Sequence, residues 1–346
     1  MAAPKQGPKQ GPEEGPDPSL TIADLGELAL IERLKPFCAE GVVGDDAALL
    51  VVASGYELVV TTDVLIDGVH FSDRTTPAFA VGYRAVAANL SDLAAMGAEP
   101  LGITVGLGLL AQTPWQWVEA LYQGMTACLA TYGGVIVGGD LCRAAQKTVA
   151  ITAVGQVRAG QAIRRDTAVP GLSVVVTGAH GASRAGLALL LGEVEGDQRS
   201  AAAMGWIKAH QTPVPRFDAI AQLHSLIDTA VPYPTMAGMD SSDGLANALL
   251  QLSRSSQVGM DIVRSHIPLP PGLSAVVGPE TAFDWALYGG EDFELVLCLP
   301  PDLAAKFVQV SGAIIGTTTG TGAVQLLPSV ESRRRITLTH QSFKHF

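Results

Sequence analysis

Two rhythms of apolar and polar residues alternate along this chain of 346 residues. From Leu25 to Leu34 apolar residues recur at helical spacing, with Ser19 or Thr21 placed to cap the start and Pro36 to stop the helix. Ala47 to Ala53 and Glu57 to Leu65 read as strands, with Ser54-Gly55 as the turn between them. Pro77 to Met96 reads as a helix ended by Gly97, a residue that readily takes the left-handed backbone of a helix stop. Leu101 to Leu110 is β-like, and Thr113-Pro114 opens a helix that ends near Tyr132-Gly133-Gly134. Val135 to Val137 and Thr148 to Val157 read as two more strands.

The stretch from Arg158 to Gly171 breaks this rhythm with paired arginines and a Pro-Gly, so a domain boundary is placed there. A second alternation follows. Leu172 to Val176, Gly259 to Val263 and Leu295 to Leu299 read as strands. Ala182 to Leu191, Arg216 to Leu226, Ser242 to Ser253 and Asp302 to Val310 read as helices. The expectation is a domain over residues 20–157 and another over 158–346, each α/β or α+β. Residues 1–19 are mostly Pro, Gly, Lys, Gln and Glu and are expected to form a disordered tail.

Composition narrows the function. Hydrophobic residues make up 48% and charged residues 16%, a globular balance. The net charge is −11, from 33 acids against 22 bases, which argues against a nucleic-acid partner. The longest smooth apolar stretch, around Leu101 to Ala111, is about half the ~20 residues a membrane helix needs. No apolar signal segment opens the chain. Cys38, Cys128, Cys142 and Cys298 are scattered, without a Cys-x-x-Cys pair, as expected of reduced thiols in a cytoplasm.

With so few charges, the setting of the acids is informative. Gly44-Asp45-Asp46, Thr61-Thr62-Asp63, Asn89-Leu90-Ser91-Asp92, Gly138-Gly139-Asp140, Asp240-Ser241-Ser242-Asp243-Gly244 and Gly289-Gly290-Glu291-Asp292 share one context. Each follows an apolar run or turn, among small or hydroxyl residues, where strand ends are expected to carry binding groups. Taken singly, Asp63 or Asp140 also reads as a turn or N-cap acid. Together they are hard oxygen ligands of the kind Mg²⁺ requires, and would hold a polyphosphate through several metals. Other phosphate devices are absent. There is no GxxxxGK[ST] cradle and no protein-kinase signature, and outside the tail the lysines are only Lys35, Lys147, Lys208, Lys306 and Lys344. Gly106-Leu107-Gly108-Leu109-Leu110-Ala111 matches a dinucleotide pattern loosely, but within a β-like run.

In this order, these acidic segments resemble the thiamine-monophosphate kinase family, as do Gly68-Val69-His70-Phe71 and the run from Ala88 to Ala98. The resemblance covers about residue 20 to the C-terminus and is most specific in Asn89 to Ala98 and in Gly289-Gly290-Glu291-Asp292-Phe293-Glu294. It implies a two-domain PurM/aminoimidazole ribonucleotide synthetase-like fold: a mixed α/β N-terminal domain with dimer-forming strands, then a C-terminal α/β domain. It implies a homodimer, and an activity that turns ATP and thiamine monophosphate into ADP and thiamine diphosphate. By the same resemblance Asp46, Asp63, Asp92, Asp140, Asp240 and Asp243 match magnesium-binding acids, with Thr61 and Thr62 as further metal ligands. Asp63, Asp92 and Asp140 would act in catalysis through the metal, with no general base. Gly139, Asp140, Arg165 and Ser242 match ATP contacts, with Tyr122 as a further candidate. His70, Glu291 and Phe343 match positions that hold thiamine monophosphate.

Each has a plainer alternative: His70 as a structural histidine beside a turn, Arg165 as a linker charge, Phe343 as a C-terminal anchor. The chain departs from the family at Leu141-Cys142-Arg143-Ala144, where Thr-Thr-Arg-Gly is usual, at Ala182 for Asp, and at Ser241 for an apolar residue. None of these removes a matched metal acid. Two other functions stay open at this level: another ATP-using enzyme of the superfamily, and an inactive metal- or nucleotide-binding dimer.

Overall fold

The computed structural model describes residues 20–43, 46–195, 198–228, 232–329 and 335–338. The tail expected at 1–19, Asp45 and Phe343 lie outside these residues. Helix α1 (Ile22–Leu34) starts in a capping box: Thr21 accepts from the Asp24 N–H, and the Asp24 carboxylate accepts from Thr21. Four strands follow, β1 (Tyr56–Ile66), β2 (Glu99–Leu109), β3 (Ile136–Arg143) and β4 (Thr148–Arg158). They form one sheet in the order β1-β4-β2-β3, antiparallel except for the β2–β3 pair.

Helices α2 (Ala78–Ala95) and α3 (Trp115–Tyr132) cover one face of this sheet. Ile103, Val105 and Leu107 of β2 and Val149, Ile151 and Ala153 of β4 point into that core, each at most 1% exposed. The two helices cross closely because glycines meet backbone. A Cβ at Gly82 would overlap the Leu121 carbonyl, and one at Gly124 the Phe79 carbonyl. Among the described residues no helix covers the opposite face of the sheet, and Leu58, Val60 and Val64 are exposed there.

The second half forms a seven-stranded sheet from β5 (Ser173–Val176), β6 (Ala237–Asp240), β7 (Gly259–Val263), β8 (Leu295–Leu299), β9 (Ala313–Thr319), β10 (Val324–Leu327) and β11 (Ile336–Thr337). Its order is β11-β10-β7-β9-β5-β8-β6. Helices cover both faces. Val174, Val176, Val296 and Cys298 pack with α7 (Leu245–Ser256) and the helix Pro279–Tyr288. Val175, Leu295, Leu297 and Leu299 pack with α6 (Phe217–Leu226). Burial on both faces explains why β8 is an unbroken apolar run. Helices α4 (Ala182–Leu191) and α5 (Ala201–Gln211) pack on one another beside α2.

Three expectations need correction. Ala47 to Ala53 is not a strand: it finds no ladder partner among the described residues, and Leu49 and Val51 stand exposed. Strand β3 does not stop at Val137. Gly139 lies flat against the Val105 backbone, where a Cβ would collide, and pairing continues through Arg143. The strand-end setting holds only for Asp240, which ends β6; Asp63 and Asp140 lie within strands and Asp92 on α2. The loose glycine pattern at Gly106 lies inside β2. All four cysteines are free thiols, and no described helix is long and apolar enough to cross a membrane.

Candidate active site

Helix α2 brings the two halves of the chain together. Arg84, Ala88, Ser91 and Asp92 recur at helical spacing, so they share the face that looks toward the second sheet. Ser91 Oγ donates to Asp240 Oδ2 at 2.8 Å, between the two halves. Asp240 Oδ1 accepts from Ser242 Oγ at 2.9 Å, and Asp243 accepts from Asn247 Nδ2 at 3.2 Å. On β1, Thr61 Oγ1 donates to Asp92 Oδ2 at 2.5 Å.

These groups border a cavity of about 850 Å³ at the junction. Thr62, Asp63, His70, Asp92, Arg165, Asp240, Ser242, Asp243 and Glu291 all line it. The Gly289-Gly290-Glu291-Asp292 segment folds against the Asp240 loop. The Glu291 N–H donates to the Ser242 carbonyl at 2.6 Å, and Gly290 leaves no room for a Cβ beside that same oxygen. Asp292 does not line the cavity. Its carboxylate accepts from the Gly181 and Ser183 N–H groups and so caps α4, next to the position where the family has Asp and this chain Ala182.

Electrostatics make this cavity unusual. Burial raises Asp63 to about 6, and the charges of Asp240 and Asp243 push the same way. Burial likewise raises Asp240 to about 6, reinforced by Asp92 and opposed by hydrogen bonds from Ser91 and Ser242. Asp92 is raised by burial and by Asp63, against the pull of Thr61 and Arg165. Carboxylates that resist ionisation because of one another are relieved by a cation. Among the described residues, however, no three acidic, histidine or cysteine side chains converge closely enough to hold a metal by themselves.

The remaining expected residues are elsewhere. Asp46, Tyr122, Gly139 and Asp140 line a separate cavity of about 650 Å³, against α1 and β3. Sheet order places Gly139 and Asp140 three strands from Asp63, and register turns Asp140 to the other face as well. Asp63, Ile151, Val105 and Gly139 form one row across the strands; Val64, Ala150, Gly106 and Asp140 form the next. Successive residues face opposite sides, so Asp63 points toward the helices and Asp140 toward the open face. Thr62 also turns to the open face, where its hydroxyl pairs with Thr152 at 2.8 Å. His70 Nδ1 accepts from the Ile66 N–H at 3.1 Å, which leaves the proton of a neutral ring on Nε2. Arg165 Nη1 donates to Gln251 at 3.1 Å.

Sequence reasoning missed Arg84, Ser91 and Arg184. Arg84 and Ser91 occupy the same helical stripe as Asp92, and that periodicity is the signal that would have pointed to them. Arg184 lines the cavity, stacks over Trp285 at 4.7 Å and donates to Glu193 at 2.6 Å. Nothing in its sequence setting marked it.

Known proteins resemble this chain in sequence and fold. Residues 44–157 match the family described as AIR synthase related protein, N-terminal domain. A thiamine-monophosphate kinase of Synechococcus elongatus is 45% identical over 334 residues, covering 94% of this chain and 98% of its own length. The thiamine-monophosphate kinase of Stenotrophomonas maltophilia superposes with a TM-score of 0.75 at 31% identity, covering 87% of this chain and 96% of that one. A structure described as AaThiL complexed with AMPPCP and TMP superposes with a TM-score of 0.72 at 31% identity, over 94% of this chain and 99% of that one. The PurM-like two-sheet architecture is therefore common to all of them. On identity, coverage and fold together, the chain belongs to the thiamine-monophosphate kinase family.

Proposed function

We propose that this chain transfers the γ-phosphoryl group of ATP directly to thiamine monophosphate in a Mg²⁺-dependent step, giving thiamine diphosphate and ADP. The observation that carries the direct, metal-dependent form of the reaction is the set of four carboxylates at the domain junction: Asp63, Asp92, Asp240 and Asp243. The acceptor is a phosphate oxygen, already ionised at neutral pH, so no general base has to remove a proton. The obstacle is charge. Two unit charges ~4 Å apart repel by about 4 kcal/mol at an effective dielectric of roughly 20, and each phosphate carries more than one.

The donor set fits magnesium, because buried carboxylates beside threonine hydroxyls are hard oxygen ligands with charge to spare. Asp63, Asp92, Asp240 and Asp243 would hold it, with the Thr61 hydroxyl on the same strand as Asp63 and Thr62 through its backbone, since its hydroxyl turns to the open face; when bound, it offsets the repulsion between the phosphates. The chain's own groups bind and align. Arg165 and Ser242 hold ATP, and Arg165 offers the planar donor fork that phosphate oxygens accept. His70 and Glu291 hold thiamine monophosphate, with Phe343 as a further contact. Trapping a labelled phosphoprotein on the reaction path would contradict direct transfer. An acceptor comparison tests the substrate: ADP release should need thiamine monophosphate, and not a purine precursor or selenide.

The second cavity belongs to the same reading through a homodimer. Leu58, Val60 and Val64 form an exposed apolar face, and Leu49 and Val51 stand beside it unburied. β1 and β3 are the edges of this sheet. A second copy on that face would bury the apolar residues and bring its own Asp46, Gly139, Asp140 and Tyr122 to the first copy's four acids. The free thiols accord with work in a reducing cytoplasm.

A further inference from the structure

Arg84 is 2% exposed. A buried guanidinium is costly unless its charge and its donors are met. Here both arms of the fork are used. Nη2 donates to Glu291 Oε1 at 2.5 Å, and Nη1 donates to His210 Nε2 at 3.0 Å. His210 is 3% exposed, and burial with the adjacent Arg84 charge lowers it to about 4. A neutral ring that accepts at Nε2 carries its proton on Nδ1. That atom lies 3.2 Å from Ser183 Oγ and 3.8 Å from Glu291 Oε2.

The three residues come from three places: Arg84 from α2, His210 from α5 and Glu291 from the loop after Gly289-Gly290. Glu291 has φ 67, in the left-handed region that disfavours side chains. Such a conformation persists only where the surroundings hold it. Its N–H is held by the Ser242 carbonyl and its carboxylate by Arg84. Arg84 and Ser91 lie seven residues apart on one face of α2, so the helix that grips Glu291 also grips Asp240 and carries Asp92.

We propose that Arg84 is a positioning residue for thiamine monophosphate: its fork, shared between Glu291 and His210, fixes the Glu291 carboxylate in the orientation that receives the substrate. This rests on the kinase reading and on Glu291 as a contact to thiamine monophosphate. It makes Glu291 and the four acids parts of one rigid arrangement, as in-line transfer between two bound phosphates requires. Lysine would not replace the fork, because a single ammonium on a flexible stem cannot serve both partners in fixed geometry.

The test is steady-state kinetics on Arg84→Met, Arg84→Lys, Glu291→Gln and the Arg84→Met/Glu291→Gln pair. Arg84→Met should raise the KM for thiamine monophosphate about tenfold, equivalent to ~1.4 kcal/mol, and Arg84→Lys by less. The KM for ATP should stay within about twofold, and Arg84→Met should add less than about twofold in the Glu291→Gln background. A general loss of packing would instead lower the active fraction and leave both KM values in place. A KM for thiamine monophosphate within about twofold of wild type in both Arg84 variants would overturn the proposal, as would effects of Arg84 and Glu291 that simply multiply. If Arg84→Met does not fold, Arg84→Lys with and without Glu291→Gln gives the same readout. Failure of the kinase reading would appear in the wild type, as no ADP release with thiamine monophosphate; failure of this inference appears only in variants of an active wild type.

Discussion

The two faces of the first sheet carry acids under opposite conditions. Asp63 lies on the face covered by α2, within a cavity closed by the second domain, and burial and neighbouring carboxylates raise it to about 6. Asp140 lies three strands away on the open face and is solvent-exposed, on the edge strand opposite the exposed Val60 and Val64 of β1. The same residue type with similar glycine or hydroxyl neighbours therefore has two different jobs available to it. Enclosure makes ionisation costly on one face, and exposure leaves the acid on the other in ordinary contact with solvent. Register sets which face each acid takes, because successive residues in a strand face opposite ways, and strand position with the second half of the chain does the rest.

Substitutions should break this comparison in graded steps. The largest effect is expected from Asp63→Asn or Asp92→Asn: a loss of turnover of about 10²–10³-fold, the usual cost of removing one group that stabilises transition-state charge. Melting of these variants should be unchanged or raised, since each removes a repelling charge. Asp140→Asn should lose activity without that gain in stability. Near-normal turnover of the Asp63 variant in saturating Mg²⁺ would remove the basis of the comparison.

Mixing protomers sharpens it. If each site takes Asp63 from one copy and Asp140 from the other, an inactive Asp63→Asn protein mixed with an inactive Asp140→Asn protein should recover activity. The recovery should be roughly a quarter of wild type, since half of randomly mixed dimers are hybrids and each hybrid has one intact site. No recovery after verified subunit exchange would assign both acids to one chain. Val60→Lys, on the exposed face, should weaken the dimer by about tenfold or more through charge buried against apolar surface, read by sedimentation at several concentrations.

The smallest effect is in pH. The Asp63 folded-state value of about 6 lies above the ordinary 3.8, so the metal-free fold holds an extra proton between about pH 4 and 6. Stability from that proton is lost as pH rises through the window. His180 and His210, both lowered to about 4, act in the opposite sense, so the total profile does not isolate Asp63. The difference does: the advantage of Asp63→Asn over wild type should grow from pH 4 to 6 and level above it, in calorimetry without metal. An advantage that shrinks over that range would contradict the burial argument.

Much of this arrangement is legible in the chain itself. α2, α3, β2 and β4 have long periodic patterns with clear stops, and the structure returns them within a few residues. The helices Ala201–Gln211 and Pro279–Tyr288 and strands β6, β9 and β10 are harder to read. β6 and β10 span four residues each, too few to display a period, and β9 is rich in Gly and Thr. The Ala47 to Ala53 reading failed because alternation predicts a strand only where a neighbour exists to pair with it. The acids of the site stood out by their unusual neighbours. Arg84 and His210 did not, because a buried polar pair on two helices looks locally like ordinary helix surface, and only tertiary packing brings them to Glu291.

In the proposed reaction the four-acid cavity transfers phosphate to a phosphate only with a divalent cation present. ADP release measured with thiamine monophosphate, with and without Mg²⁺, tests it most directly. ADP and thiamine diphosphate should form in equal amounts when thiamine monophosphate and Mg²⁺ are both supplied with ATP, and neither should form when Mg²⁺ is withheld by chelation. Undiminished turnover in chelator, or ADP release that ignores thiamine monophosphate, would contradict it.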